Sequence, residues 1–177
     1  MTLFNEETRM NDPWIVSDTH FGHANMYKFV DKNGKPARRW DNYEEADEYM
    51  VERWNDVVGK FDRVYHLGDV VINRRFLPIL NRLNGRKILI KGNHDIFKLK
   101  DYSQYFDDIR ATQKLDVFIM SHIPIHPDSI PHWCSGNIHG HMHGNILPDK
   151  RYFNASVEQI KYTPITLSEI KRVMRER

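Results

Sequence analysis

The chain has 177 residues, 40% hydrophobic and 28% charged, with a formal net charge of +2, a profile that excludes a disordered or fibrous protein. Ten histidines accompany a single cysteine, Cys134, which excludes an internal disulfide and the cysteine-rich zinc folds. Lys+Arg 26 against Asp+Glu 24 is too balanced for a face devoted to nucleic acid. No apolar run reaches the roughly 18 residues of a membrane span, and the opening MTLFNEETRM has no apolar signal-peptide core. One domain over residues 1–177 is expected, with no membrane partner. The expected location is the cytoplasm, that of the host cell if the chain is phage-encoded.

Short apolar runs alternate with amphipathic stretches along the chain. Trp14-Ile15-Val16 predicts a buried strand, and residues 44–58 predict a helix. In that helix Ala46, Tyr49, Met50, Trp54, Val57 and Val58 share one face, Glu44 and Glu45 fill the first turn, and Gly59 is the stop. Val64 to Leu67 predicts a strand, Arg74 to Asn84 a helix ended by Gly85, and Ile88 to Ile90 a third strand. Ile109 to Ser121 predicts a hairpin turning at Lys114-Leu115-Asp116, with Val117 to Met120 as its buried arm. A last helix opens on Thr166 and Glu169, spaced as a capping box. This order predicts an α/β fold with a largely parallel central sheet.

Clusters of metal-capable residues directly follow those apolar runs. Asp18-Thr19-His20 follows the first, Gly68-Asp69 the second, Gly92-Asn93-His94-Asp95 the third and His122 the fourth, while His141-Met142-His143 follows Gly136-Asn137-Ile138-His139. The carboxyl ends of parallel strands gather at one edge, so five segments converge on one pocket. Asp18, His20, Asp69, Asn93, His122, His141 and His143 supply seven oxygen and nitrogen donors, more than one tetrahedral zinc uses and about what two ions need when they share a carboxylate. Asp69 is the natural bridge, because its two oxygens can serve two cations. In D-x-H and H-x-H, residues two apart on an extended chain point the same way.

Two such cations clamp a phosphoryl group and activate a bridging hydroxide for in-line attack. His94 is placed to protonate the leaving oxygen, with Asp95 orienting its imidazole. His23 is a candidate substrate contact. So are Arg74 and Arg75, cations at a helix start, where a nearby anion would stabilise them. The basic loop Lys32 to Arg39 reads as a solvated loop that could also touch a phosphate backbone. His66 and His139 read as structural, His126 and His132 as loop residues, and Trp40 and Trp54 as core.

D-x-H, G-D, G-N-H-D, a lone His after a strand and G-H-x-H, in this order over residues 14–143, resemble the calcineurin-like metallophosphoesterase superfamily, most of all its compact stand-alone members in bacteria and phages. The resemblance implies a calcineurin-like sandwich of two mixed β-sheets flanked by helices. It also implies two divalent ions, manganese first with iron, zinc or nickel as alternatives. It puts Asp18, His20 and His143 with Asp69 on one ion, and Asn93, His122 and His141 with Asp69 on the other. His94 becomes the motif's catalytic histidine. The expected activity is phosphoester hydrolysis, with diesters favoured over monoesters because the basic loop and Arg74-Arg75 suit a nucleotide or nucleic-acid substrate. A phosphomonoesterase, a phosphoprotein phosphatase and a non-catalytic metal-binding interaction module on the same fold remain the alternatives. The oligomeric state is left open.

Overall fold

Residues 12–30, 34 and 36–176 are described in the computed structural model. Strand β1 (Trp14–Val16), β2 (Arg63–His66), β3 (Arg86–Ile90) and β4 (Asp108–Arg110) lie side by side in parallel, in the order β4-β3-β2-β1. Ile15, Val64, Leu89 and Ile90 lose all contact with water, as strands covered on both faces do. The outer neighbour of β1 is β9 (Ile165–Thr166), which runs antiparallel to it. A second sheet has the order β5-β6-β7-β8, from Thr112–Leu115, Phe118–Ser121, Gly136–His139 and Tyr152–Asn154. Its first pair is antiparallel and the other two are parallel. The two mixed sheets, flanked by helices, form an α/β fold. A parallel bridge between Ser17 and Ser156 joins the end of β1 to the chain after β8.

Helix α1 spans Tyr43–Val57, one residue earlier at each end than the pattern predicts. The Asn42 side chain accepts from the Glu45 N–H and satisfies one of the first-turn donors. Ala46, Met50 and Trp54 recur every fourth residue on the buried face, and the Trp54 indole N–H donates to the Asn84 carbonyl. Val58 ends the helix in an extended conformation. The short helix α2 (Leu99–Tyr102) follows β3. The last helix, α3 (Leu167–Arg175), starts as the capping pattern predicts, with Thr166 Oγ1 accepting from the Glu169 N–H. Among the described residues no helix is long and apolar enough to cross a membrane.

Two predicted elements differ. Arg74–Arg82 winds as 3-10 turns rather than an α-helix, because Pro78 within it has no N–H to give and its ring opposes the carbonyl four residues back. Leu77 and Leu80 are nevertheless buried. The hairpin turn lies one residue later than predicted, between Leu115 and Phe118, where Asp116 takes the positive φ (51°) that a tight turn requires. Asp108–Arg110, read as the start of that hairpin, pairs instead with β3, so the chain passes between the sheets at Ala111.

His66 ties the strand ends together, as its structural reading predicts. Its Nδ1 accepts from the Gly68 N–H and its Nε2 lies 3.0 Å from Thr19 Oγ1, whose own proton goes to the Val70 carbonyl. The ring is therefore neutral with its proton on Nε2, and burial pushes its pKa down to about 3. In the unfolded chain His66 takes up a proton near pH 6.5. Its contribution to stability is thus complete above that pH and shrinks as the pH falls towards 3. Ring-nitrogen NMR shifts of His66 are expected to stay constant from pH 8 to pH 5 in the Nε2–H form; a titration midpoint near 6.5 would contradict the assignment.

Candidate metal centre

The chain leaves its strands through residues in a backbone region that favours glycine. Asp18, His20, Asp69, His141 and His143 have φ between 47° and 69°, where an L residue costs about 1–2 kcal/mol. Such conformations persist only where surrounding contacts enforce them. Here the loop after β1 runs along the loop after β2: Asp18, His20 and Phe21 donate N–H bonds to the carbonyls of Gly68, Asp69 and Val70. The expected extended geometry of D-x-H and H-x-H is corrected accordingly. The paired side chains converge because both members sit in left-handed turns.

Two sets of donors result, Asp18 with His20 and His143, and Asp69 with His122 and His141, the donor atoms of each lying within 4.8 Å of one another. In the first, His20 Nε2 and His143 Nε2 stand 3.9 and 3.8 Å from Asp18 Oδ1. In the second, His122 Nε2 is 3.3 Å from Asp69 Oδ2 and 2.9 Å from Asn93 Oδ1. The sets touch at His20 Nε2 and Asp69 Oδ2, 3.6 Å apart. Atoms that bind one ion at about 2.0–2.2 Å stand roughly 3–3.5 Å from each other, so these gaps are close to the edges of coordination polyhedra. Asp18 Oδ1 and both ring nitrogens of His20 are buried and have no hydrogen-bond partner among the described residues. Such orphaned groups are costly unless a cation takes them, and the donor set fits divalent ions.

Each carboxylate is divided between two tasks. Asp18 Oδ2 accepts from Ser156 Oγ and the His141 N–H, both at 2.9 Å, which leaves Oδ1 for the donors. Asp69 Oδ1 accepts from the His94 N–H at 2.8 Å. Asp69 Oδ2 therefore faces both sets while Oδ1 is taken by the backbone, so the expectation that both oxygens serve cations is corrected to one. The glycines of the motifs make room: a Cβ on Gly92 would run into Asp69 Oδ1, and one on Gly140 into Asp18 Oδ2. Burial raises the pKa of Asp18. Burial acts on Asp69 in the same direction, but the hydrogen bond and charge of His122 and the His94 N–H outweigh it and bring the carboxyl down to about 2. Burial and the nearby Arg38 hold His20 well below its ordinary value, so its ring is neutral.

Behind these donors stands a row that the motifs do not contain. His122 Nδ1 lies 2.7 Å from the Leu67 carbonyl and His143 Nδ1 3.1 Å from Glu158 Oε1, which places the ring protons there and turns Nε2 of each towards the centre. Arg38, 1% exposed, donates to Glu158 Oε1 and to the carbonyls of Asp18 and Thr19. Sequence reasoning missed Glu158 and Ser156, which lie beyond the last motif, and read Arg38 as part of a solvated loop.

Several expectations need correction. Asp95 does not orient His94; it is fully buried, and its carboxylate accepts from the N–H groups of Asp69, Gly92 and Val70, tying the third loop to the second. Arg74 is paired with Asp101, the anion its helix-start position called for, and Arg75 lies over the Phe76 ring; neither lines the cavity at the centre. Lys32 and Lys35 of the basic loop lie outside the described residues. His23, His94, His20 and His143 together line a cavity of about 1000 Å³, with the His94 ring 5.7 Å from that of His20. His139 is buried with Nδ1 on the Gly140 carbonyl, as a structural residue would be, and His126 and His132 are exposed, as loop residues would be. Trp54 is core, while Trp40 is half-buried against Tyr49 and Tyr162.

Glu158→Gln removes the charge that holds His143, so Mn²⁺ affinity measured by calorimetry is expected to fall roughly 10- to 100-fold with the fold intact. Unchanged affinity would show that Glu158 does not support the centre.

No family model matches the chain. It is 32% identical to the uncharacterized protein MJ1445 of Methanocaldococcus jannaschii over 93% of its own length and 92% of that protein's. It is 34% identical to the gene 66 protein of Mycobacterium phage L5, over 49% of this chain and 41% of the phage protein. Among solved structures, a protein of unknown function from Aquifex aeolicus, AQ665, superposes with a TM-score of 0.70 at 28% identity, over 92% of this chain and 98% of that one. A conserved uncharacterized protein of Streptococcus pneumoniae, described as a predicted phosphoesterase, superposes with a TM-score of 0.39 at 16% identity, over 85% of this chain and 73% of that one. With 32% identity spread over nearly the whole of both proteins, the chain belongs to the family of the uncharacterized M. jannaschii protein.

Proposed function

We propose that the chain is a phosphoesterase working with two divalent cations held by Asp18, His20 and His143 on one side, Asn93, His122 and His141 on the other, and Asp69 between them. The observation that carries this reading is the position of Asp69 Oδ2, 3.6 Å from His20 Nε2 of one set and 3.3 Å from His122 Nε2 of the other. Carboxylate, amide and imidazole donors without a thiolate suit manganese, with iron, zinc and nickel as alternatives. When bound, such a pair supplies positive charge for the phosphoryl oxygens and a water made nucleophilic at neutral pH.

The chain's own groups then divide the work. Asp69 and Asp18 fix the donor positions, since their outer oxygens are held by backbone and hydroxyl bonds. The exposed imidazole of His94 stands at the rim, where it can give a proton to the departing oxygen. Its own N–H on Asp69 Oδ1 keeps it in register with the bridge. Diesters remain the preferred substrates, for a reason different from the one the sequence suggests: no Lys or Arg is among the described residues lining the cavity, which suits the single charge of a diester better than the double charge of a monoester.

Bis(p-nitrophenyl) phosphate is expected to be hydrolysed by the Mn²⁺-loaded protein faster than p-nitrophenyl phosphate. Asp69→Asn should abolish this turnover and lower metal content, whereas His94→Ala should keep its metal and lose about 10²-fold or more in rate. Turnover of His94→Ala at the wild-type rate would contradict the role given to His94. Absence of turnover with any of the four metals would contradict the hydrolase reading.

A further inference from the structure

We propose that the cavity beside the metal centre is a subsite for a flat, apolar ester group, so that the preferred substrates are small phosphoesters carrying such a group. The proposal rests on the phosphoesterase reading and adds what the substrate bears beyond its phosphorus.

The cavity has two unlike halves. His20, His23, His94 and His143 form the half next to the metal donors, and the other half includes Phe29, Val30 and Ile146, which are 51%, 60% and 58% exposed. Its volume of about 1000 Å³ lies at the top of the roughly 300–1000 Å³ range of small-molecule sites and far exceeds the needs of one phosphate. Rings lead from one half to the other, with centroids 5.6 Å apart from His20 to His23 and 6.4 Å, edge-on, from His23 to Phe29. A planar group can join such a series by stacking or edge contact.

Both apolar walls are continuations of the metal motifs. Val30 bridges Pro36, and the Ala37 N–H donates to the Phe29 carbonyl. The next residue, Arg38, is locked onto the carbonyls of Asp18 and Thr19. On the other side, the Asn154 side chain donates to the carbonyls of His143 and Asn145, which fixes the stretch that presents Ile146. An ester group that extends into this cavity from a phosphate beside His20 and His143 meets these walls. Exposed apolar surface continuous with a site of this kind is characteristic of a ligand-covered wall.

Phosphonates test this without turnover, because their carbon–phosphorus bond is not hydrolysed. Calorimetric titration of the Mn²⁺-loaded protein should show phenylphosphonate binding about tenfold or more tightly than methylphosphonate, the effect of burying one ring. Phe29→Ser and Ile146→Ser should each bring the two ligands within about threefold, leaving methylphosphonate and Mn²⁺ affinities unchanged. Equal affinities in the unaltered protein, or a ring preference that survives both substitutions, would overturn the proposal. A ring preference without hydrolysis of any phosphoester would uphold the subsite and refute the hydrolase reading. Hydrolysis of bis(p-nitrophenyl) phosphate with equal phosphonate affinities would do the reverse.

Discussion

Two carboxylates withdrawn from water, Asp18 and Asp69, set the terms for the rest of this molecule. Neither is more than 1% exposed, and burying an uncompensated carboxylate costs several kcal/mol. The fold meets that cost on one oxygen of each: Ser156 and the His141 N–H bind Asp18 Oδ2, and the His94 N–H binds Asp69 Oδ1. The other oxygen of each is left facing imidazoles. A chain that satisfied all four oxygens internally would be easier to fold and would have nothing to offer a cation.

This division explains why so much of the surrounding backbone is unusual. Left-handed turns at five of the donor-bearing positions swing the side chains inward as the chain leaves its strands. Asp95 pins the Asp69 and Gly92 amides, His66 pins Thr19 and Gly68, and Arg38 pins the Asp18 and Thr19 carbonyls. All three are buried polar groups in direct contact with a motif backbone, and each draws two loops or more into register. The sheets supply the platform: β1, β2 and β3 end together, and the Ser17–Ser156 bridge brings the loops of the second sheet to the same edge.

Much of the candidate site was legible in the sequence because its signal is local. Asp18, His20, Asp69, Asn93, His122, His141 and His143 follow apolar runs at fixed short spacings, and parallel strands bring such positions to one edge. Helix α1 was legible from its periodic face and its acidic first turn. What escaped was non-local or depended on a single geometric detail. Glu158 reaches His143 from a segment with no motif of its own. Arg38 looks like one more loop cation until its carbonyl partners are known, and Arg74 looks unpaired until Asp101 folds back beside it. Asp95 stands next to His94 in sequence, yet its side chain points into the loop before it. Pro78 was visible, but the amphipathic pattern around it concealed that the helix would tighten into 3-10 turns.

The role proposed for Asp69 is to hold two ions together. Its most direct measurement is anomalous diffraction from crystals of the Mn²⁺-loaded protein at the manganese edge. Two peaks about 3.5–4 Å apart are expected, with Asp69 contacting both, His20 and His143 on one and His122 and His141 on the other. A single peak, or two peaks that do not share Asp69, would contradict it.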